Sequence, residues 1–141
     1  MSIEKRAEKL NKILFDFFKE QWNQRHTISE MSNMNIKELF IIQTLGMKND
    51  SATMSELASI FSIPATTMTS MIDRLVEKKY LKRFRSKEDR RLVKVSLSKK
   101  GQEFYVKQYN ISLNSKISLL GKLSENEQEE FISLMIKLFS K

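Results

Sequence analysis

Residues 80–97 read Tyr80-Leu81-Lys82-Arg83-Phe84-Arg85, then Ser86-Lys87-Glu88-Asp89-Arg90-Arg91, then Leu92-Val93-Lys94-Val95-Ser96-Leu97. The two outer segments alternate with period two, placing Val93, Val95 and Leu97 on one side, and the six residues between them are too polar for any core. The spacing predicts a two-stranded hairpin with a charged tip. Asp89 would be counterproductive against a phosphate, so its better role is to pair with a neighbouring arginine and hold it oriented. Such an arm, beside a DNA-reading helix, can enter the minor groove, where narrowed AT-rich DNA concentrates negative potential on a guanidinium. The competing reading is a charged surface hairpin that touches nothing.

Upstream, Thr53-Met54-Ser55-Glu56 has the capping-box pattern and precedes Leu57, Ala58 and Phe61, which predicts a short helix broken around Ser62-Ile63-Pro64. Another helix follows at once. Met68, Met71, Ile72, Leu75 and Val76 lie on one of its faces, and Thr66, Thr69, Ser70 and Asp73 on the other. This pair has the outline of a helix-turn-helix whose second member reads the major groove. Short hydroxyls permit close approach, and threonine methyls can touch thymine methyls. An ordinary helical hairpin with a Ser/Thr-rich exposed side would give the same pattern.

Charge separates these readings. Between Asp73 and Lys107 there are thirteen Lys/Arg against five Asp/Glu, while the rest of the chain carries twelve of each, so the whole net charge of +8 sits in one block. A neutral body with one basic surface captures polyanions by releasing their counterions. At 141 residues and 40% hydrophobic content the chain is one domain with a real core, and three glycines and one proline favour a mostly helical protein. Cysteine is absent, which removes disulfides, thiolate nucleophiles and Cys-ligated zinc and fits a reducing cytoplasm. The N-terminal segment Met1-Ser2-Ile3-Glu4-Lys5-Arg6 is mixed in charge and leads into no unbroken apolar run. The expectation is a cytoplasmic protein without signal peptide or membrane span.

The remaining chain also reads as helix. Leu10, Ile13, Leu14, Phe17 and Phe18, extended by Ile3, Ala7 and Trp22, form a long amphipathic first helix. Asn35-Ile36-Lys37-Glu38 caps a second, predicted to end near Gly46. Ser98 caps a helix containing Phe104, Tyr105, Tyr109, Leu113, Ile117 and Leu120. Ser124-Glu125-Asn126-Glu127 opens the last, with Phe131, Leu134, Met135 and Leu138. The fold expected is mainly α with a small β-hairpin wing: residues 1–34 a terminal helix, 35–100 a winged helix-turn-helix lobe, and 101–141 two closing helices.

Asp73-Arg74-Leu75-Val76-Glu77-Lys78, then Ser86-Lys87-Glu88-Asp89-Arg90-Arg91, then Leu97-Ser98-Lys99-Lys100-Gly101 resemble in order and spacing the bacterial multiple antibiotic resistance regulator (MarR) family. The resemblance runs from about Asn35 to the C-terminus. It implies a homodimeric winged helix-turn-helix transcription regulator, usually a repressor relieved by a small ligand. It places Ala65, Thr66, Thr67, Thr69, Ser70 and Arg74 on the recognition helix, and Arg85, Lys87, Asp89, Arg90 and Arg91 on the wing, with either Arg90 or Arg91 as the minor-groove finger. Members usually carry glycine where Lys79 stands. A left-handed residue other than glycine there costs on the order of 1 kcal/mol, so the helix ends differently or Lys79 accepts the strain.

The apolar stripes of the terminal helices exceed what a small lobe covers. Leu10, Leu14, Phe17, Ile117, Leu120, Phe131, Leu134 and Leu138 are the expected dimer contacts, separating two reading heads by roughly 34–36 Å on a pseudo-palindromic operator. The family's ligands bind between dimer helices and reading lobe, which points to Trp22, Arg25, His26, Met34, Phe40, Phe104 and Tyr105; a largely apolar pocket with one or two basic residues suits an anionic amphiphile. His26 is the sole histidine, too few for a transition-metal sensor, and no cofactor is expected. No nucleophile triad, phosphate loop or close carboxylate pair suggests an enzyme. The rivals are a basic protein that coats nucleic acid by charge alone and a winged helix that grips another protein. RNA binding would want more exposed aromatics than Tyr80 and Phe84.

Overall fold

The computed structural model describes the backbone of residues 1–141 and the side chains of all but residues 24–32. Its elements run α1 (Ile3–Ser32), α2 (Ile36–Lys48), β1 (Ala52–Thr53), α3 (Met54–Phe61), α4 (Ala65–Glu77), β2 (Leu81–Arg85), β3 (Val93–Leu97), α5 (Lys99–Leu120) and α6 (Glu125–Phe139). The fold is thus mainly helical with a small antiparallel sheet. Four helices start where a capping side chain stands. Asn35, Thr53, Ser98 and Ser124 accept from the backbone amides of Glu38, Glu56, Gly101 and Glu127, and Ser124 with Glu127 completes a reciprocal capping box.

The core lies in the middle of the chain. Leu39, Ile41, Ile42 and Leu45 of α2 pack with Leu57 and Ala58 of α3, with Met68, Met71, Ile72 and Leu75 of α4, and with Leu81 and Val95 of the sheet. The whole helix-turn-helix connection is three residues, Ser62 to Pro64, between α3 and α4. The sheet has three strands rather than the two read from the sequence. Its order is β1-β3-β2, with Ala52 opposite Val95 and Thr53 opposite Lys94 on one side of β3, and Leu81 opposite Leu97 through Arg85 opposite Val93 on the other. A two-residue strand carries no alternation to detect, and β1 exists because the connection into α3 passes the open edge of β3.

Glycine placement is unusual. Among the described residues four have left-handed backbones, Asn33, Asn49, Ser62 and Lys79, at φ of 54, 53, 52 and 70°, and no glycine does. Each lies just past a helix. Lys79 sits at the C′ position of a Schellman motif, in which the Lys79 amide donates to the Val76 carbonyl and the Tyr80 amide to the Leu75 carbonyl, both at 2.9 Å. Lys79 therefore accepts the strain, and α4 ends where a glycine would have ended it. The second helix does not stop near Gly46; it runs to Lys48 and is closed by Asn49. Gly46 is instead buried inside α2, where any Cβ would collide with the ring of Tyr105, and a Cβ on Gly101 would collide with the carbonyl oxygen of Tyr80. Both glycines serve close contact.

Lys79→Gly is expected to raise unfolding free energy by about 1 kcal/mol in urea titration, as relief of C′ strain requires. Gly101→Ala should lower it by roughly 1–3 kcal/mol, because the obstructing atom belongs to the backbone. Reversal of either sign would remove the conformational account of these positions.

Candidate nucleic-acid interface

The rotation of α4 about its axis is fixed by burial of Met68, Met71, Ile72 and Leu75. Ala65, Thr66, Thr67, Thr69 and Ser70 are consequently exposed together on the outer side. Thr69 Oγ1 donates to the Ala65 carbonyl at 2.9 Å and Ser70 Oγ to that of Thr66 at 3.2 Å. In this rotamer each hydroxyl spends its proton within the helix and turns acceptor lone pairs outward. Helix α4 also differs from its neighbours at its start. Pro64 is the N-cap residue and supplies no side-chain hydrogen bond, and no acidic residue occupies the first turn. Its leading amides and positive dipole end are open to an anion.

Two charged side chains of α4 are engaged on its flanks. Asp73 pairs with Arg83 of β2, which neutralises the one acidic group on the hydroxyl face and ties the helix to the wing. Arg74, expected on the recognition surface, leans toward α2, with Nε 3.6 Å from the Glu38 carboxylate while its side chain stays 53% exposed. Neither pairing leaves a local sequence signature, since each joins side chains of different elements.

The wing tip is an ordered turn. The Ser86 amide donates to the Leu92 carbonyl at 2.9 Å, the Leu92 amide to the Asp89 carbonyl at 3.0 Å, and the Asp89 amide to Ser86 Oγ at 3.3 Å. Ser86, read with the exposed tip, is only 6% exposed, since its hydroxyl holds the turn from inside. Arg85 Nη1 donates to the Arg90 carbonyl at 3.0 Å and braces the turn. Asp89 grips Arg91 in the fork geometry expected from the sequence: Arg91 Nε donates to Oδ1 at 3.0 Å, Nη2 to Oδ2 at 3.1 Å, and the Arg91 amide to Oδ1 at 3.1 Å. The Arg91 side chain nevertheless remains 90% exposed. Hydrogen bonds from the Arg91 side chain, and then from its amide, hold the Asp89 carboxyl below its ordinary range, and the Arg91 guanidinium is raised in return. The sign follows. A lowered carboxyl keeps this pairing intact above the usual carboxylate range and loses it as pH falls through the lowered value. Lys87 and Arg90 are exposed beside the fork.

The described residues expected around a ligand disperse. Phe104 and Tyr105 line a cavity of about 60 Å³ between α1, α2 and α5, together with Gln21, Leu39, Ile42, Gln43, Gln108 and Tyr109. Met34 lies in the core instead, and Phe40 and Trp22 are outward on α2 and α1. Arg25 and His26 fall outside the described side chains. Of the residues expected at a dimer contact, Leu10, Leu14, Ile117, Phe131, Leu134 and Leu138 are exposed, while Phe17 and Leu120 are half-buried. Among the described residues no group of three His, Cys, Asp or Glu could hold a metal ion, and no helix is long and apolar enough to cross a membrane.

The chain is similar to known proteins over most of its length. The chain is similar to YpoP of Bacillus subtilis strain 168, an uncharacterised HTH-type transcriptional regulator, at 29% identity over 131 residues, covering 92% of this chain and 87% of that one. Among solved structures it is similar to Streptococcus pneumoniae FabT in complex with DNA, at 23% identity over 94% of each chain and a TM-score of 0.83. The YusO protein of Bacillus subtilis aligns at 22% identity over 98% of this chain and 97% of that one, with a TM-score of 0.75. Residues 24–106, spanning both helices of the helix-turn-helix and the wing, match the family described as transcriptional regulator SarA/Rot. With a winged helix-turn-helix built from those residues, the chain belongs to the SarA/Rot family of transcriptional regulators.

Proposed function

We propose that the chain works as a homodimer on a pseudo-palindromic operator in double-stranded DNA, acting as a repressor released by a small molecule. In this reading the hydroxyl face from Ala65 to Ser70 of each α4 enters the major groove, with Arg74 at its edge. Arg91 is the minor-groove finger, and Arg85, Lys87 and Arg90 support the wing on phosphates. The observation that carries it is the bidentate Asp89–Arg91 fork on an ordered turn, which orients an exposed guanidinium before DNA arrives. An arginine already held in place loses less freedom on binding than an unrestrained one. The relative FabT, described in complex with DNA, supports the same mode of use. Binding, not catalysis, is the activity proposed.

Surface area supports the second copy. A compact monomer of 16.6 kDa should expose about 7,600 Å², whereas this chain exposes 10815 Å². The excess lies on the terminal helices: no residue of α6 is buried, and Ile3, Leu10, Ile13 and Leu14 of α1 are exposed. Covering it is the task of a homodimer interface, which commonly buries about 2,000–5,000 Å² in total. We place the effector, an anionic amphiphile, between α1, α2 and α5. The cavity there, about 60 Å³, holds roughly two waters rather than a ligand needing about 300 Å³ or more. Occupancy therefore requires those helices to part, and parting them moves the reading heads.

Selection from random duplex DNA at physiological salt should enrich an inverted repeat with half-sites about one turn apart; recovery of all sequences alike would favour charge-only coating. Arg91→Ala should weaken binding to the enriched site by about tenfold or more, and Arg90→Ala by less. Asp89→Ala should fall between them without altering the fold; equal losses at Arg90 and Arg91 would remove the assignment of the finger. Sedimentation equilibrium should give twice 16.6 kDa, and Leu134→Glu with Leu138→Glu should halve it. A monomeric parent protein would overturn the dimer.

A further inference from the structure

One carboxylate lies where three helices meet. Glu38, in the first turn of α2, is 0% exposed. Its Oε1 accepts from Asn35 Nδ2 at 2.8 Å and lies 3.6 Å from Arg74 Nε. Its Oε2 lies 3.7 Å from Lys78 Nζ and has no hydrogen-bond partner among the described residues. Lys78 Nζ also donates to the carbonyl of Asn33, the left-handed residue that follows α1. The end of α1, the start of α2 and the C-terminal half of α4 therefore converge on one buried charge.

Helix capping does not account for this arrangement. Glu127 serves the first turn of α6 from the surface, with its carboxylate bonded back to the Ser124 amide. Glu38 has the same position in its helix, yet it is buried, and burial of a carboxylate is costly unless cations compensate it. Both compensating cations come from the reading helix, one turn apart, and one of them also grips the end of α1. The pairing fixes how α4 is rolled and advanced relative to α1. From the opposite flank, Asp73 and Arg83 tie the same turn of α4 to the wing.

We propose that Glu38 is a positioning residue for operator recognition: it sets the reading helix against the end of the dimerisation helix, and thereby the match between two heads and the half-site spacing. The proposal rests on the dimeric reading above. It also assigns Glu38 a second effect, holding Arg74 and Lys78 away from indiscriminate phosphate contact.

The test is Glu38→Gln, which keeps the shape and the bond from Asn35 but removes the charge. Binding to the selected operator and to random duplex DNA is measured across a salt series. The expected result is a fall of at least tenfold in the ratio of operator to random affinity. Random binding is retained or strengthened, and its salt dependence steepens by one to two phosphates as Arg74 and Lys78 are released. A merely structural role would lower both affinities together, and an unchanged ratio overturns the proposal. If Glu38→Gln does not fold, the pair Glu38→Met with Lys78→Met replaces the ion pair by an apolar contact, a change commonly neutral for stability; it should show the same loss of ratio, and an unchanged ratio again overturns the proposal. Absence of any preferred sequence for the unmodified protein would instead remove the dimeric reading, a result visible before any variant is made.

Discussion

Burial of one stripe on α4 organises the DNA-reading half of the molecule. Met68, Met71, Ile72 and Leu75 recur at helical spacing, and all four are buried against α2, α3 and the sheet. Each such side chain contributes about 1.5–3 kcal/mol when removed from water, so rolling the helix by even a third of a turn would forfeit several kcal/mol. That penalty decides which residues face outward. Thr66, Thr69 and Ser70 form a surface because their neighbours on the opposite side have nowhere else to go.

Electrostatics refines what packing establishes. The charged residues flanking the exposed hydroxyls are paired within the lobe, Asp73 with Arg83 and Arg74 with Glu38, so the recognition face itself is largely uncharged. Positive charge is concentrated instead on the wing, and the one acidic side chain at its tip that makes ion pairs, Asp89, turns inward onto Arg91. The division suits sequence discrimination. In the proposed reading, short neutral side chains distinguish base edges, and the cations of the wing draw in and orient the duplex.

Much of this arrangement was legible in the residues, and the parts that were not share a cause. Capping side chains gave the starts of α2, α3, α5 and α6, because a cap acts over three residues and leaves a local signature. Alternation gave β2 and β3, and the charge logic of Asp89 gave the fork. What escaped was non-local or too short. Strand β1 is two residues long, and the partners of Glu38 and Asp73 lie on other elements. Gly46 misled for a different reason: glycine near the expected end of a helix suggests a stop, whereas here Tyr105, some sixty residues later, required the missing side chain. Among the described residues expected around a ligand, Phe104 and Tyr105 alone came together, since apolar spacing does not distinguish a pocket wall from core or surface.

The two buried glycines also determine how α5 behaves mechanically. At Gly46 the backbone of α2 meets the ring of Tyr105, and at Gly101 the backbone of α5 meets the carbonyl of Tyr80. The Gly101 contact is backbone against backbone and cannot yield by a change of rotamer, and at Gly46 the ring of Tyr105 lies directly on the α2 backbone. The first turns of α5 are thereby keyed to the reading lobe at two separated points, while its far end continues to Leu120. A rod pinned twice near one end acts as a lever with little play: a small tilt imposed at Ile117 reaches the helix-turn-helix undiminished, and a rotation of the lobe is magnified at the far end.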